Sequence, residues 1–317
     1  MLIGIIGAGR WASTLANLLH GAGHNIIMFG LDTDVARVKQ SRQIPHTKFF
    51  LDEGIEVITE GAPLYVCDVV FIAVDGKNLS RCWQQWRAFI SCPVVIAVKT
   101  LNVIDGKLVL PSDIVSHDET IYFGSAAFPE GLLSGSPAIG TVYGQDKLTK
   151  SIRTILPLEK TRIYTSTDLV GGQIVHASKN VLAIASGIAL GLGLDEMTRA
   201  AIVSRGVCEI ERFGLHYGAQ PETFGNGTSG LADTIGTCYS LNSHNLKAGI
   251  RFSGQKLDWG AIEDEIGTVE GIQTVKILSM IPRALEMMPI ASAVARILFD
   301  GVDPKEVMKE LMNRPLI

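Results

Sequence analysis

The chain has 317 residues, more than one hydrophobic core usually spans, so two domains are expected. Its 47% hydrophobic content is that of a folded protein, and 28 basic against 32 acidic residues leave a formal net charge of -4. Such a balance argues against a nucleic-acid surface or an anionic membrane as the main partner and leaves small molecules as the expected ones.

From the start of the chain, Leu2-Ile3-Gly4-Ile5-Ile6 reads as a buried strand. It leaves no room for the charged and apolar segments of a cleaved signal, so a cytoplasmic protein is expected. The strand runs at once into Gly7-Ala8-Gly9-Arg10-Trp11-Ala12, and Leu15, Leu18 and Leu19 then follow at helical spacing. Strand, glycine turn and helix in that order bind a dinucleotide pyrophosphate. Gly7 allows the tight turn, Gly9 lets the backbone approach the phosphates, and Ala12 lets the helix pack closely on the strand while its N-terminus faces the anion. A second strand is expected over 25–29, and Phe29-Gly30-Leu31-Asp32 at its end bears on the choice of cofactor. An acidic residue there takes the ribose hydroxyls of NAD, whereas an arginine takes the 2'-phosphate of NADP. Asp32 favours NAD, although an aspartate at that place also serves as a helix cap, and the nearest arginine is Arg37.

Continuous apolar runs over 69–74 and 94–98 predict strands buried on both faces, hence a doubly wound, mostly parallel Rossmann sheet. Trp83 and Trp86 fall on one helix face and are expected to pack on that sheet. Lys99 directly follows the second run, where ligands of open α/β sheets lie, although a lysine at a strand end is ordinarily a solvated charge. The five cysteines, Cys67, Cys82, Cys92, Cys208 and Cys238, form no C-x-x-C pair and read as reduced thiols, with no metal site expected.

Beyond Arg162-Ile163-Tyr164-Thr165, a last strand, the pattern turns helical, with helices predicted over 170–194, 197–213, 269–285, 290–298 and 305–312. The domains expected are therefore an α/β unit over 1–170 and an all-helical unit over 171–317. The apolar run 181–194 is broken by Ser186 and falls short of the roughly 18 residues of a membrane span, so it reads as a core helix with no membrane insertion. Lys179 and Asn180 stand at its head, and Gly230-Leu231-Ala232-Asp233 with Thr237 interrupt a second apolar stretch. Burial lowers the pKa of an ammonium toward neutrality and a nearby carboxylate holds it in place, so Lys179 is a candidate proton donor. The alternative is a structural ion pair without catalytic duty. His176, three residues before Lys179, reads as a core or capping histidine rather than a second acid.

With these landmarks in order, the chain resembles the bacterial NAD(P)-dependent glycerol-3-phosphate dehydrogenases over nearly its whole length. The carriers are the glycine turn through Trp11, Lys99, Gly124-Ser125-Ala126-Ala127-Phe128 with Glu130, Ser178-Lys179-Asn180-Val181, Gly230-Leu231-Ala232-Asp233 with Thr237-Cys238, Val269-Glu270-Gly271, and Asp303-Pro304 to Arg314-Pro315. The resemblance implies a dinucleotide domain joined to a helical substrate domain, commonly as a homodimer, with NAD or NADP as cofactor. It also implies that Lys179 donates the proton, that Asn180, Asp233 and Thr237 surround the substrate, that Lys99 is a second cationic contact, and that Glu270 lies near the nicotinamide. Arg10 and Trp11 of the glycine turn join Gly7, Gly9 and Ala12 in the cofactor set.

Departures from the family pattern gather at the substrate end. The family's Ser-Arg-Asn is Ser243-His244-Asn245 here, so His244 stands where an arginine would grip a substrate phosphate, and the family's Ser-Gly-Pro is Ser125-Ala126-Ala127. An arginine fork makes a bidentate, permanently charged contact that a largely neutral histidine lacks. Arg10, Lys77, Lys247 and Arg251 are other cations that could restore a positive site. Ser125, His244 and Asn245 are the expected substrate contacts. The function expected is hydride transfer between a nicotinamide and a small hydroxyketone, with dihydroxyacetone phosphate and sn-glycerol 3-phosphate the first pair. A different small carbonyl is the alternative, and a cofactor-binding sensor without turnover is a third reading.

Overall fold

Runs of Val and Ile, stiff at χ1 and apolar on both sides, make the strands of the first half. In the computed structural model, which describes residues 1–157, 160–225, 229–254 and 259–314, these are β1 (Leu2–Ile6), β2 (Asn25–Phe29), β3 (Glu56–Ile58), β4 (Val69–Ile72) and β5 (Val94–Ile96). A short pair follows, β6 (Asn102–Ile104) and β7 (Lys107–Val109), and then β8 (Thr120–Ala126), β9 (Ala138–Tyr143) and β10 (Thr161–Ser166).

Eight of these form one sheet in the order β10-β9-β8-β5-β4-β1-β2-β3. From β3 to β8 every pairing is parallel, β9 runs antiparallel to β8, and β10 is parallel to β9. The expected doubly wound, mostly parallel sheet is what forms, and its strand order reverses between β1 and β4, where such sheets bind ligands. Alternation along the strands divides two apolar layers. Ile3, Ile5, Met28, Phe71 and Val95 lie on one side with Ala12, Leu15 and Leu19 of the helix Arg10–Gly21. Val70, Ile72, Val94 and Ile96 lie on the other, beside buried Trp83 and Trp86.

The chain divides into two compact units: Met1–Val98 with Pro111–Leu169, and Lys99–Leu110 with Val170–Ile317. Among the described residues the second unit is helical apart from the antiparallel β6-β7 hairpin, whose flanking Leu101 and Leu110 are buried among helical core residues. Its centre is the helix Leu169–Gly191, long and apolar enough by composition to cross a membrane, yet mostly buried inside the protein. The next helix, Glu196–His216, is started by the Asp195 carboxylate, which accepts the Thr198 N–H at 2.7 Å. Three further helices were not expected from the sequence: Ser229–Tyr239, His244–Phe252 and Trp259–Ile266.

The helix expected over 269–285 instead stops at Met280 and resumes as Ala284–Met287. Pro282 is the cause, because its ring disfavours helical backbone at the residue before it, and Ile281 is extended at φ -94°, ψ 120°.

Candidate active site

Gly7 occupies a backbone position closed to other residues, since φ is +125° and a Cβ would meet the Ala73 carbonyl oxygen at 2.5 Å. Its N–H donates to the Phe29 carbonyl oxygen at 2.8 Å, tying the turn to β2. Gly9 differs, because a Cβ there would project into open space. It precedes the helix Arg10–Gly21, whose N-terminus receives no side-chain cap. Orphan N–H groups beneath an open glycine are the cradle a pyrophosphate fills, so the turn fits a dinucleotide. Ala12 is fully buried and Trp11 packs partly buried against the same layer.

Two cations flank this turn. Arg10 Nη1 lies 3.4 Å from Glu130 Oε1. Arg37 Nη2 donates to the Ala8 carbonyl oxygen at 2.5 Å and lies 3.6 Å from Asp34 Oδ1. Asp34 Oδ2 in turn accepts the Leu31 N–H at 3.3 Å. Asp32 is exposed in the first turn of the helix Asp32–Ser41, and the aspartate that caps this helix is Asp34, at its third position. Ser125 lies in β8 of the same unit, buried and in register with Gly140.

In the second unit, Lys99, His176, Lys179, Asp233 and Thr237 come together around one carboxylate. Asp233 divides its oxygens: Oδ2 accepts from Lys99 Nζ at 2.7 Å and from His176 Nδ1 at 2.9 Å, while Oδ1 stands 3.0 Å from Lys179 Nζ and accepts from Thr237 Oγ1 at 3.2 Å. Lys179 also donates to Thr237 Oγ1 at 2.6 Å. Among the described residues two of its three N–H groups are thereby placed, and the third is left for another acceptor. Lys179 is 4% exposed and Lys99 about a fifth, so they differ in access to water.

Burial pulls the Lys179 ammonium below the ordinary lysine value; Asp233 resists this and Lys99 adds to it. For Asp233, burial works upward, but the ammoniums of Lys179 and Lys99 and the His176 contact outweigh it and hold the carboxyl well below the usual range. The result is an ionised carboxylate holding a buried ammonium whose proton is loosened, the arrangement a general acid requires.

Asn180, Asn245 and Glu270 form a second, linked network. Asn180 Nδ2 donates to Glu270 Oε2 at 2.9 Å and its Oδ1 accepts from Asn245 Nδ2 at 3.2 Å. Asn245 Oδ1 accepts the Gly271 N–H at 2.8 Å. His244 opens the helix His244–Phe252, and its Nδ1 lies 3.2 Å from the Thr268 carbonyl oxygen. Of the other cations noted in the sequence, Arg251 pairs with Glu265, and Lys77 and Lys247 are exposed.

His176 and Ser229 are the members of this neighbourhood to which sequence reasoning gave no role at the site. His176 is a core histidine, as expected, but its ring joins the Asp233 cluster, and its Nε2 lies 3.0 Å from the hydroxyl of Ser229. The three-residue spacing to Lys179 was the available signal.

Reducing a carbonyl needs a hydride carrier and an acid, and the chain has a turn fitted to the carrier and a buried ammonium suited to the second task. It is a nicotinamide-dependent oxidoreductase. The family model described as NAD-dependent glycerol-3-phosphate dehydrogenase N-terminus matches residues 2–134, and the corresponding C-terminus model matches residues 168–309. The chain belongs to that family and uses NAD or NADP.

The glycerol-3-phosphate dehydrogenase (NAD(P)+) of Carboxydothermus hydrogenoformans is 32% identical over 98% of this chain and 96% of its own length. That of Halalkalibacterium halodurans is 29% identical over 98% and 94%. In fold, the chain is similar to the crystal structure of glycerol-3-phosphate dehydrogenase from Coxiella burnetii, with a TM-score of 0.90, 23% identity and 99% of each chain covered.

Proposed function

We propose that the chain interconverts dihydroxyacetone phosphate and sn-glycerol 3-phosphate, with Lys179 as the group that gives and takes the proton. The nicotinamide supplies or accepts the hydride at the carbonyl carbon. Lys179 passes one proton to the oxygen in reduction, leaving a neutral amine beside Asp233, and in oxidation the amine takes the proton back. Asp233 orients the ammonium through Oδ1, and Thr237 fixes it from a second direction. The positive field of Lys179 and Lys99 favours the negative charge that develops on the oxygen, the larger contribution where water is scarce.

The observation that carries this reading is the Lys179 ammonium itself, 4% exposed, ion-paired, and with one N–H beyond its two partners. Names of the relatives support the substrate pair, and a different small carbonyl is not favoured. Glu270, Asn180 and Asn245 are proposed to shape the site around the reacting groups, with Ser125 and His244 as substrate contacts. A homodimer in the cytoplasm belongs to the same proposal, and light scattering on the purified chain tests the dimer.

Oxidation of NADH or NADPH on adding dihydroxyacetone phosphate is the direct assay. Lys179→Ala is expected to lower turnover by about 10²- to 10⁴-fold. Full turnover in that variant would refute the assignment of the acid.

A further inference from the structure

Among the described residues Asp233 Oδ2 has two donors, and one of them is the Lys99 ammonium. The other is the ring of His176, fully buried on the helix Leu169–Gly191 one turn before Lys179. Among the described residues, the charged groups facing this ring are Asp233 from the helix Ser229–Tyr239, Lys99 from the segment before β6, and Lys179 from its own helix. A carboxylate between two ammoniums only accepts, so the hydrogen of the imidazole sits on Nδ1 and points at Oδ2. Nε2 then presents its lone pair to the hydroxyl of Ser229, 3.0 Å away.

Charge bookkeeping supports the same state. Burial in the first place, and then the two lysines, oppose a second hydrogen on the ring, while Asp233 works the other way, and the net direction is toward neutral imidazole. With the ring neutral, one carboxylate faces two ammoniums. A protonated ring would add a third cation around the same carboxylate, and like charges at that range disfavour the protonated form of Lys179.

We propose that His176 is a positioning residue for the proton donor: as the neutral Nδ1–H tautomer it pins Asp233 Oδ2, so that Oδ1 stays turned to Lys179. The Ser229 hydroxyl, able to donate to a bare Nε2, anchors the far side of the ring. The chain Ser229, His176, Asp233, Lys179 thus runs from a wholly buried hydroxyl to the group that exchanges a proton with substrate. This rests on the reading of Lys179 as acid, but the state of the ring can be tested without turnover.

Asparagine and glutamine at 176 separate the two ring nitrogens, because an asparagine amide reproduces a donor near Nδ1 whereas a glutamine amide reaches the Nε2 position. In His176→Gln, kcat for the ketone is expected to fall at least tenfold with KM for ketone and cofactor changed less than threefold, and the pH at which kcat breaks is expected to move. In His176→Asn, kcat should stay within threefold of the parent and the break should stay in place. Equal loss in both variants, or no loss in either, would overturn the proposal and leave the ring as packing.

Nitrogen-15 NMR of the intact protein without substrate provides the independent arm. His176 should hold the neutral Nδ1–H form from pH 6 to 9, and a signal for the Nε2–H tautomer or for imidazolium would overturn the proposal whatever the substrate. A parent protein that shows the Nδ1–H form yet reduces no ketone would instead count against the assignment of the reaction. Thermal unfolding of both variants establishes that folded protein is being compared.

Discussion

Gly187 and Gly249 face each other where the helices Leu169–Gly191 and His244–Phe252 cross, with no room for a side chain on either. A Cβ at Gly187 would stand 2.2 Å from the Leu246 carbonyl oxygen, and one at Gly249 would stand 2.1 Å from that of Ile184. This contact sets the spacing between the helix that carries Asn180 and the one that carries Asn245, whose amides bond at 3.2 Å. Backbone cannot give way as a flexible side chain does, so Gly249→Ala is expected to cost about 3 kcal/mol of stability. Thermal or urea unfolding measures it. Gly236→Ala is the comparison, since a Cβ there meets nothing within 4 Å in the middle of a helix, and a gain of up to about 1 kcal/mol is expected.

Turnover should depend on pH with opposite sign in the two directions. If Lys179 is the acid, reduction needs its protonated form, so kcat falls as pH rises through a value lowered from 10.5 by burial. Oxidation needs the amine, so its kcat rises through the same group. Asp233→Asn removes the charge that resists the lowering and should shift both limbs to lower pH. Profiles of kcat in each direction, parent against variant, decide the matter; limbs unmoved by the substitution would separate Asp233 from the acid.

A different carboxyl makes stability depend on pH. Glu209 is 4% exposed on the helix Glu196–His216 and accepts the Ile290 N–H at 2.8 Å. Burial pushes its carboxyl from 4.5 up to about 7, the Ile290 contact opposing. Between those values the folded chain keeps a proton that the unfolded chain has released, so stability falls as pH rises through the window. The loss reaches about 3 kcal/mol above the upper value and is recovered below the lower one. In Glu209→Gln this contribution disappears, which urea titrations of both proteins at pH 5 and pH 8 would reveal as a smaller difference between the two pH values.

His244→Arg should tighten the grip on a substrate phosphate. The present ring is tied at Nδ1 to the Thr268 carbonyl oxygen, and an imidazole, with at most one donor per ring nitrogen, offers a weaker contact than a guanidinium fork. KM for dihydroxyacetone phosphate is expected to drop about ten- to a hundredfold, with that for unphosphorylated dihydroxyacetone unchanged. Equal changes for both ketones would place the phosphate elsewhere.

The parallel part of the sheet could be read from the residues because its strands are continuous runs of Val and Ile, and a glycine turn between strand and helix admits few other structures. The β6-β7 hairpin escaped that reading, although Asp105-Gly106 between Val103 and Leu108 is a strong turn signal in so short a segment. The helices Ser229–Tyr239 and His244–Phe252 escaped it for another reason. Gly230, Gly236 and Gly249 interrupt their apolar periodicity, and what holds them is tertiary packing.

At the candidate site, Lys179 and Asp233 were legible as residue types at the edges of apolar runs. The role of His176 was not, because its partner lies 57 residues further along and one-turn spacing to Lys179 names a face without naming what the face meets. Asn245 shows the same gap. Its place in the motif was visible, whereas the bonds of its amide to Asn180 and the Gly271 N–H depend on two other helices.

The excursion of Lys99–Leu110 out of the sheet and into the helical unit has a bearing on biosynthesis. Lys99 leaves the ribosome long before Asp233 exists, so a sheet that folds early carries one ammonium of the cluster ahead of its counterion. Fragments divided at residue 170 would each lack part of that cluster, and neither could assemble it without the other.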